Sequence, residues 1–401
     1  MEKLYYLDRY IKEFTAEVKE VKEVEGRYHV ALDKSAFFPG GGGQPGDKGS
    51  IEENKVIDVY EENGIIYHVL DKKPLKIHRV KCKIDWEKRY DGMQQHLGQH
   101  VLSGCFYSLF NANTVSFHMG SESSTVDIES FLEESQIREA ERLANEIINE
   151  NIEVEFLTPS KSELKKLKIR RALPKTDDAI TIVKIGDLDI NACCGVHPKS
   201  TLDLRMIKIK RWEKHKGATR IEFLAGRRAI DDSLKKDNII HNICRSVKCG
   251  ENEILNVIGN MSNDIKECQS ENRTLRLELS NYEVKEMIDD SEKINDISIV
   301  KKIYENQDLK YVGKLAEKLI ENKKTIALFA VKSDERSHLI FASSKDNDIS
   351  MNELLKDAIT LIDGRGGGSK SLAQGGGKNS SNLESSIDYA FMKIKTLINN
   401  N

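Results

Sequence analysis

The 401-residue sequence has no apolar run approaching the ~18 residues that a membrane-spanning helix needs, which argues against a helical membrane protein. Its first residues, MEKLYYLDRYIKEF, lack an apolar h-region, so no secretory signal is expected. It has little net charge: 62 Lys and Arg stand against 65 Asp and Glu, a formal balance of −3. No global field marks a nucleic-acid binder, and any such role must rest on local basic patches. Seven cysteines, an odd number without regular spacing, fit free thiols or metal ligands better than a disulfide framework. Together these absences predict a cytoplasmic protein. Hydrophobic content of 39% and charged content of 32% describe a globular chain with ample core material. Its length allows about two to four domains.

What is present begins as β-structure. Residues 1–85 read as short strands near 16–24, 27–32, 55–60, 64–70 and 79–84. Turn signals such as Glu25-Gly26 and Asn63-Gly64 part them, predicting a small β-barrel or open meander. A glycine-rich loop, SAFFPGGGGQPGDKGS, interrupts them at residues 35–50. Its glycines, Gly41, Gly42 and Gly43 among them, let backbone approach a ligand closely and turn N–H groups toward an anion or a carbonyl oxygen.

Residues 86–228 read as mixed α/β. Trp86, Tyr90, Met93, Leu97, Val101 and Leu109 mostly step by three or four, predicting a helix over 86–109. A candidate hairpin, TVSFHMG with SSTVDIES, follows, then an amphipathic helix near 133–150 and further strands. Residues 229–290 read as helical with a break at Cys249-Gly250. Ile254, Ile258, Met261, Ile265, Cys268, Leu275, Leu279 and Tyr282 form a coiled-coil seam, with polar Asn272 in the remaining slot. Its partner is a second chain or the preceding helix (Ile230, Leu234, Ile240, Ile243, Val247) folded back. From residue 291 strand and helix alternate, predicting a small α/β domain. It contains a second glycine-rich loop, DGRGGGSKSLAQGGGK, at residues 363–378, and closes on a helix near 383–397. This loop is neither a Walker A nor a Rossmann turn. Arg365, Gly366, Gly367, Gly368, Lys370, Gln374 and Lys378 are its candidates for phosphate contact. The expected fold class is α+β multidomain: barrel (1–85), α/β metal-binding domain (86–228), helical coiled-coil connector (229–290) and small C-terminal α/β domain (291–401).

The sharpest local signal is MQQHLGQH, in which His96 and His100 stand four apart. On a helix they share a face and can converge on one point. The HExxH protease pattern is absent, because Leu97 occupies the glutamate position. Downstream, NACCGVHP places Cys193 and His197 four apart. Two such half-sites give three imidazoles and one thiolate, a set suited to zinc and poorly suited to magnesium or calcium. Cys194 is an alternative thiolate or a neighbouring thiol.

These half-sites, with FFPGGGGQPGDKG, SFHMGSESSTVDI and TRIEFLAGRRA, resemble the editing domain of alanyl-tRNA synthetases and their free-standing AlaX relatives. GRGGGSKSLAQGGG resembles the C-terminal domain that those synthetases share with DHH-type phosphoesterases. No room for an aminoacylation domain precedes the editing motifs, so the resemblance is to long-form AlaX proteins. It implies hydrolysis of the aminoacyl ester of Ser-tRNA(Ala), and in some members Gly-tRNA(Ala). It implies one Zn2+ per chain on His96, His100, Cys193 and His197. Cys194 and Val196 stand where the family commonly has glycine and threonine. Ser35 falls where the family often has a threonine whose hydroxyl meets the substrate serine, and Gln44 matches the family's Gly-Gly-Gln.

Ester hydrolysis needs a positioned water and a stabilised oxyanion. Zinc can activate water, but four protein ligands favour a zinc that orients substrate. The N–H groups of the glycine loop are the expected oxyanion donors. Ser35 is the expected reader of the serine hydroxyl, since a site that bonds a hydroxyl rejects the analogue lacking it. Phosphate contacts are expected from two basic stretches. Residues 161–175 hold seven basic residues and one acidic, among them Lys165, Lys166, Arg170 and Arg171. Residues 208–220, ending at Arg220, hold six and one. The expected partners are tRNA(Ala) charged with serine or glycine, and a second copy of the chain through residues 252–285 or 291–401. The alternative is a zinc-stabilised tRNA-binding or dimerising module without catalysis. A peptide hydrolase would need a general base that Leu97-Gly98-Gln99 does not supply, and a DHH-type phosphoesterase would need an Asp-His-His run that does not occur.

Overall fold

The computed structural model describes residues 1–74, 78–173, 180–333 and 336–399. It divides into two compact units, Met1–Glu251 and Asn252–Asn401.

In the first unit six strands, β1 (Glu13–Val24), β2 (Arg27–Leu32), β3 (Gly49–Ile51), β4 (Asn54–Glu62), β5 (Ile65–Leu70) and β6 (Arg79–Ile84), close into a barrel in the order β1-β2-β5-β4-β3-β6. All six pairings are antiparallel. The period-two alternation of a strand is plain in β6, where Val80, Cys82 and Ile84 point inward and their neighbours are exposed. Phe37 and Phe38, at the foot of the first glycine loop, pack into the barrel core.

Helix α1 (Trp86–Phe110) leaves the barrel after Asp85, whose side chain caps it by accepting from the Lys88 N–H. It stops at Asn111 in the left-handed conformation. Residues 92–106 of α1 are buried on every side. Met93 belongs to the barrel core, and Leu97, Val101 and Phe106 belong to a second core. A helix enclosed in this way must have every polar side chain satisfied or assigned to a task. The second core lies under an antiparallel sheet ordered Ile207–His215, Ala218–Ala225, Ser124–Glu129, Thr114–Met119. A three-stranded sheet of Val154–Leu157, Ile182–Ile185 and Asp189–Ala192 adjoins it.

The second unit is a six-stranded sheet in the order Glu292–Ile294, Ile297–Glu305, Thr325–Lys332, Ser337–Ser343, Leu372–Gly377, Gly364–Gly368. Ile297–Glu305 and Thr325–Lys332 run parallel, joined by the helix Leu309–Leu319, as a parallel crossover requires. That helix covers one face, and Met351–Ala358 with Leu383–Asn399 covers the other. The glycine-rich stretch 363–378, expected as a loop, is instead a β-hairpin at the sheet edge. Glycine is required there because the backbones lie close: a Cβ on Gly366 would stand 2.5 Å from the Gly375 Cα and 2.9 Å from the Ile359 side chain.

The helical stretch 229–290 is divided between the units. Arg227–Val247 falls in the first, and Ile254–Asp289 in the second. Val284 and Met287 of the latter are buried, whereas Ile258, Met261, Ile265, Leu275 and Leu279 along its seam are exposed. Among the described residues no helix is long and apolar enough to cross a membrane.

Candidate metal centre and its cavity

One turn of α1 separates His96 from His100, and their rings lie 5.4 Å apart, centroid to centroid. The strand Asp189–Ala192 delivers the turn that carries Cys193 and His197 to the same place. One donor atom from each of the four residues lies within 4.8 Å of every other. Cys193 Sγ stands 3.5 Å from His96 Nε2 and 3.3 Å from His197 Nε2. The edge of a zinc tetrahedron built from sulfur and imidazole nitrogen is ~3.5 Å, so the arrangement has the right dimension. Cys194 stands outside this cluster, where its carbonyl accepts from the Tyr6 hydroxyl and its side chain faces the adjoining cavity.

The surroundings orient each imidazole. Gln44 Oε1 accepts from the Val196 N–H, so it acts as acceptor toward His96 Nδ1 as well, both at 3.1 Å. His96 Nε2 is thereby left as a lone pair facing Cys193. His100 Nδ1 donates to Asp189 Oδ2 at 2.7 Å, while its Nε2 is buried without a hydrogen-bond partner. His197 is packed against the other two rings at 4.4 and 4.9 Å and stacked on Phe156. A buried Nε2 with no hydrogen-bond partner, beside a thiol, is a position that either a proton or a divalent metal ion can occupy.

Charge agrees with geometry. Burial pushes the Cys193 thiol up, but His96, His197 and the contact with His100 more than reverse this and hold it well below its usual range. Burial pushes His100 down, yet Asp189 and Cys193 prevail and raise it to about 9. Burial, then His96, lower His197 to about 3, so it stays a neutral ligand. Without a metal the pocket therefore favours one thiolate beside one positive charge on His100; a metal ion would take the place of that proton, since its ligands must be a thiolate and neutral imidazoles.

The cluster borders a cavity of about 880 Å³ whose wall includes Gly42, Gln99, Phe117, Arg171, Asn191 and Cys194. The first glycine loop is an ordered turn on this wall. Gly40 to Gly43 all have positive φ (86°, 147°, 62° and 86°), and Gly41 and Gln44 exchange backbone hydrogen bonds of 2.9 and 3.0 Å. A Cβ on Gly43 would stand 2.8 Å from the Phe117 ring. Behind the loop, buried Asp47 accepts from the Phe38 N–H at 2.6 Å and from Arg89 Nε at 2.8 Å, tying the loop to α1.

Several predicted residues fall elsewhere. Ser35 is buried behind the loop and is not on the cavity wall. Burial lowers His68 to about 4, and its Nδ1 donates to the Val30 carbonyl, so Nε2 accepts the Ser35 hydroxyl proton at 2.8 Å. The Phe37 N–H donates to the same hydroxyl. The direct contact with a substrate hydroxyl expected of Ser35 is therefore not made in this arrangement, and the hydroxyl instead pins the base of the loop. Ser35→Ala leaves a buried His68 nitrogen and the Phe37 N–H unpaired, and is expected to cost about 1–3 kcal/mol in urea unfolding.

Arg220, expected on phosphate, is committed to a bidentate pair with Asp127 at 2.7 and 2.9 Å. Arg170 is turned inward onto Asp189. Lys165, Lys166 and Arg171 are exposed, as are Arg365, Gly366, Gly368, Lys370, Gln374 and Lys378 on the second-unit hairpin, with Gly367 half-buried. Lys175 lies outside the described residues. Asp189, Asn191 and Phe117 were not anticipated. The spacing of Asp189, Asn191 and Cys193 at every second residue is the signal that could have found the first two, since it places them on one face of a strand.

A barrel and an α/β sheet domain thus gather two distant half-sites, able to hold a metal ion, beside a glycine turn, and comparison with known proteins places this class of domain. The Threonyl and Alanyl tRNA synthetase second additional domain matches residues 180–222, and the DHHA1 domain matches residues 295–396. The chain is 32% identical to the alanyl-tRNA editing protein AlaX-L of Pyrococcus horikoshii, over 99% of each chain. It is 27% identical to the alanyl-tRNA editing protein Aarsd1-A of Xenopus laevis, covering 88% of this chain and 85% of that one. It is also 28% identical to the alanine–tRNA ligase of Methanobrevibacter smithii, of which it spans 45%. The chain belongs to the AlaX-L family of alanyl-tRNA editing proteins.

Proposed function

We propose that the chain is an aminoacyl-tRNA deacylase that hydrolyses the ester of tRNA(Ala) mischarged with serine, and of the glycine ester as well. The observation that carries this reading is the convergence of His96, His100, Cys193 and His197 on one point beside the glycine turn and an 880 Å³ cavity. A pocket of that size suits a small-molecule-like substrate end such as an aminoacyl-adenosine. A zinc ion held by the four residues would supply a fixed positive charge that orients the aminoacyl group. Gln44 keeps His96 in the ligating tautomer. Gly42 stands on the cavity wall, and the N–H groups of Gly42 and Gly43 have no hydrogen-bond partner among the described residues. They are the oxyanion donors of the proposed reaction, preorganised by the Gly41–Gln44 turn. Ser35 acts at one remove by holding the loop, and Arg171 offers a charge to backbone phosphate at the cavity edge.

In the second unit the exposed Arg365, Lys370 and Lys378 support phosphate contacts that raise the effective concentration of tRNA. The exposed apolar seam from Ile258 to Leu279 supports self-association of two chains.

The test is deacylation of Ser-, Gly- and Ala-charged tRNA(Ala) by metal-loaded and metal-stripped protein. Hydrolysis of the serine and glycine esters, with sparing of the alanine ester and loss on stripping, is the expected result. A metal-loaded protein that binds tRNA(Ala) and cleaves none of the three would instead make this a metal-stabilised binding module.

A further inference from the structure

We infer that Arg170 is a positioning residue of the metal centre, acting on His100 through the buried carboxylate of Asp189, and is not a tRNA contact. The inference rests on the reading that the four-residue cluster holds a metal ion.

Arg170 sits in a basic stretch and borders the cavity, which suggests a phosphate ligand. Its side chain, however, is only 4% exposed and that of Asp189 is fully enclosed. A guanidinium so placed has no face to offer a phosphate in solvent. Its Nε donates to Asp189 Oδ1 at 2.7 Å, and its Nη1 reaches Thr114 Oγ1 at 3.2 Å. The other carboxylate oxygen, Oδ2, accepts from His100. Asn191 Nδ2 adds a third donor at 2.5 Å to Oδ1. Asp189 therefore divides its oxygens: one fixes the metal-facing imidazole, and the other is held by Arg170 and Asn191.

Thr114 extends the anchor back to the ligand helix. Its hydroxyl donates to Ser103 Oγ at 2.6 Å, which also accepts from Gln99 Nε2 at 2.7 Å, and Gln99 precedes His100 on α1. Arg170 thus braces His100 along two routes. Only a planar fork does this: a lysine ammonium is a point donor that can hold the carboxylate or the threonine, not both in register. Partners of this kind, one bond behind a ligand, typically govern metal retention by ~10–100-fold.

The experiment uses the full zinc-loaded chain and four variants: Arg170→Lys, Asp189→Asn, their double, and Thr114→Val. Arg170→Lys keeps the buried charge paired so that the fold persists. Thr114→Val removes one brace with no change of charge. The first readout is the rate of zinc transfer to a chromogenic chelator, without tRNA. Arg170→Lys and Asp189→Asn are each expected to speed zinc loss about tenfold or more, Thr114→Val by less, and the double variant by less than the product of the two single effects, since they share the path through Asp189. The second readout is deacylation of Ser-tRNA(Ala): kcat falls in Arg170→Lys while KM and the salt dependence of KM are unchanged. Arg171→Ala, by contrast, should reduce the log–log salt slope by about one.

Wild-type zinc retention in Arg170→Lys with an altered salt slope would overturn the inference. So would multiplicative effects of Arg170→Lys and Asp189→Asn, or a wild-type chain that binds no zinc. A chain that holds zinc through this path yet hydrolyses no ester would refute the proposed function and leave the inference standing.

Discussion

Cys193→Ala is expected to empty the metal centre and to lower deacylation by more than about 100-fold, the upper range for residues one bond further out. The thiolate is the anion in direct reach of the donor set, standing 3.3 Å from His197 and 3.5 Å from His96. Without it three imidazoles remain, and His100, no longer facing a thiolate, keeps only Asp189 to hold positive charge. Metal content of the purified protein and the single-turnover rate on Ser-tRNA(Ala) check this together. Cys194→Ala is the internal control. Cys194 faces the cavity and lies outside the donor set, so its removal should leave metal content at the wild-type level. A variant lacking Cys193 that retained stoichiometric metal would show that the thiolate is not a ligand.

The largest effect on stability is expected from Arg89→Met. The Arg89 side chain is fully buried, pairs with Asp47 through Nε and Nη2, and donates to the carbonyls of Ala36 and Arg9. Replacing it with an apolar chain of similar length leaves the Asp47 carboxylate enclosed, with the Phe38 N–H as its remaining donor. Breaking a buried pair in this one-sided way costs about 3–5 kcal/mol, whereas an exposed pair is worth ~0–1. Urea unfolding of the full chain should show the loss in the transition of the Met1–Glu251 unit, with a smaller change for the Asn252–Asn401 unit. Because Asp47 is also the tether of the glycine turn, the folded fraction of Arg89→Met should deacylate more slowly at equal metal content. A loss below about 1 kcal/mol would mean that the pair is worth no more than a surface one.

Much of this architecture was legible in the amino-acid order, for identifiable reasons. The strand β6 announces itself because Val80, Cys82 and Ile84 alternate with charged residues, and α1 because its apolar residues recur at helical spacing. The two half-sites were visible for the same cause: four residues on a helix or a tight turn bring two donors together locally. The second glycine-rich stretch misled. Glycine is a poor strand former by propensity, yet here it pairs as a hairpin, and a Cβ on Gly364, Gly366, Gly375 or Gly377 would come within 3 Å of the Ile359 or Ile362 side chain. The inward turn of Arg170 was hidden for a related reason. Basic residues in a run look alike in sequence, and whether a carboxylate lies underneath depends on a strand 19 positions away. Ser35 was assigned by likeness, and its hydroxyl proved to be taken up by a histidine 33 positions along.

Sequence by itself settled what is local: which donors come in pairs, which segments turn, which faces are apolar. These follow from helical and strand periods and from the chemistry of each side chain. Only the tertiary structure decided which pairs meet, which charges are spent inside, and which hydroxyl or carboxylate is enclosed. His96 and Cys193 are 97 positions apart, and nothing between them dictates that they touch. That contact is imposed by packing α1 against the strand Asp189–Ala192 in a shared core, where burial makes an unpartnered polar group costly.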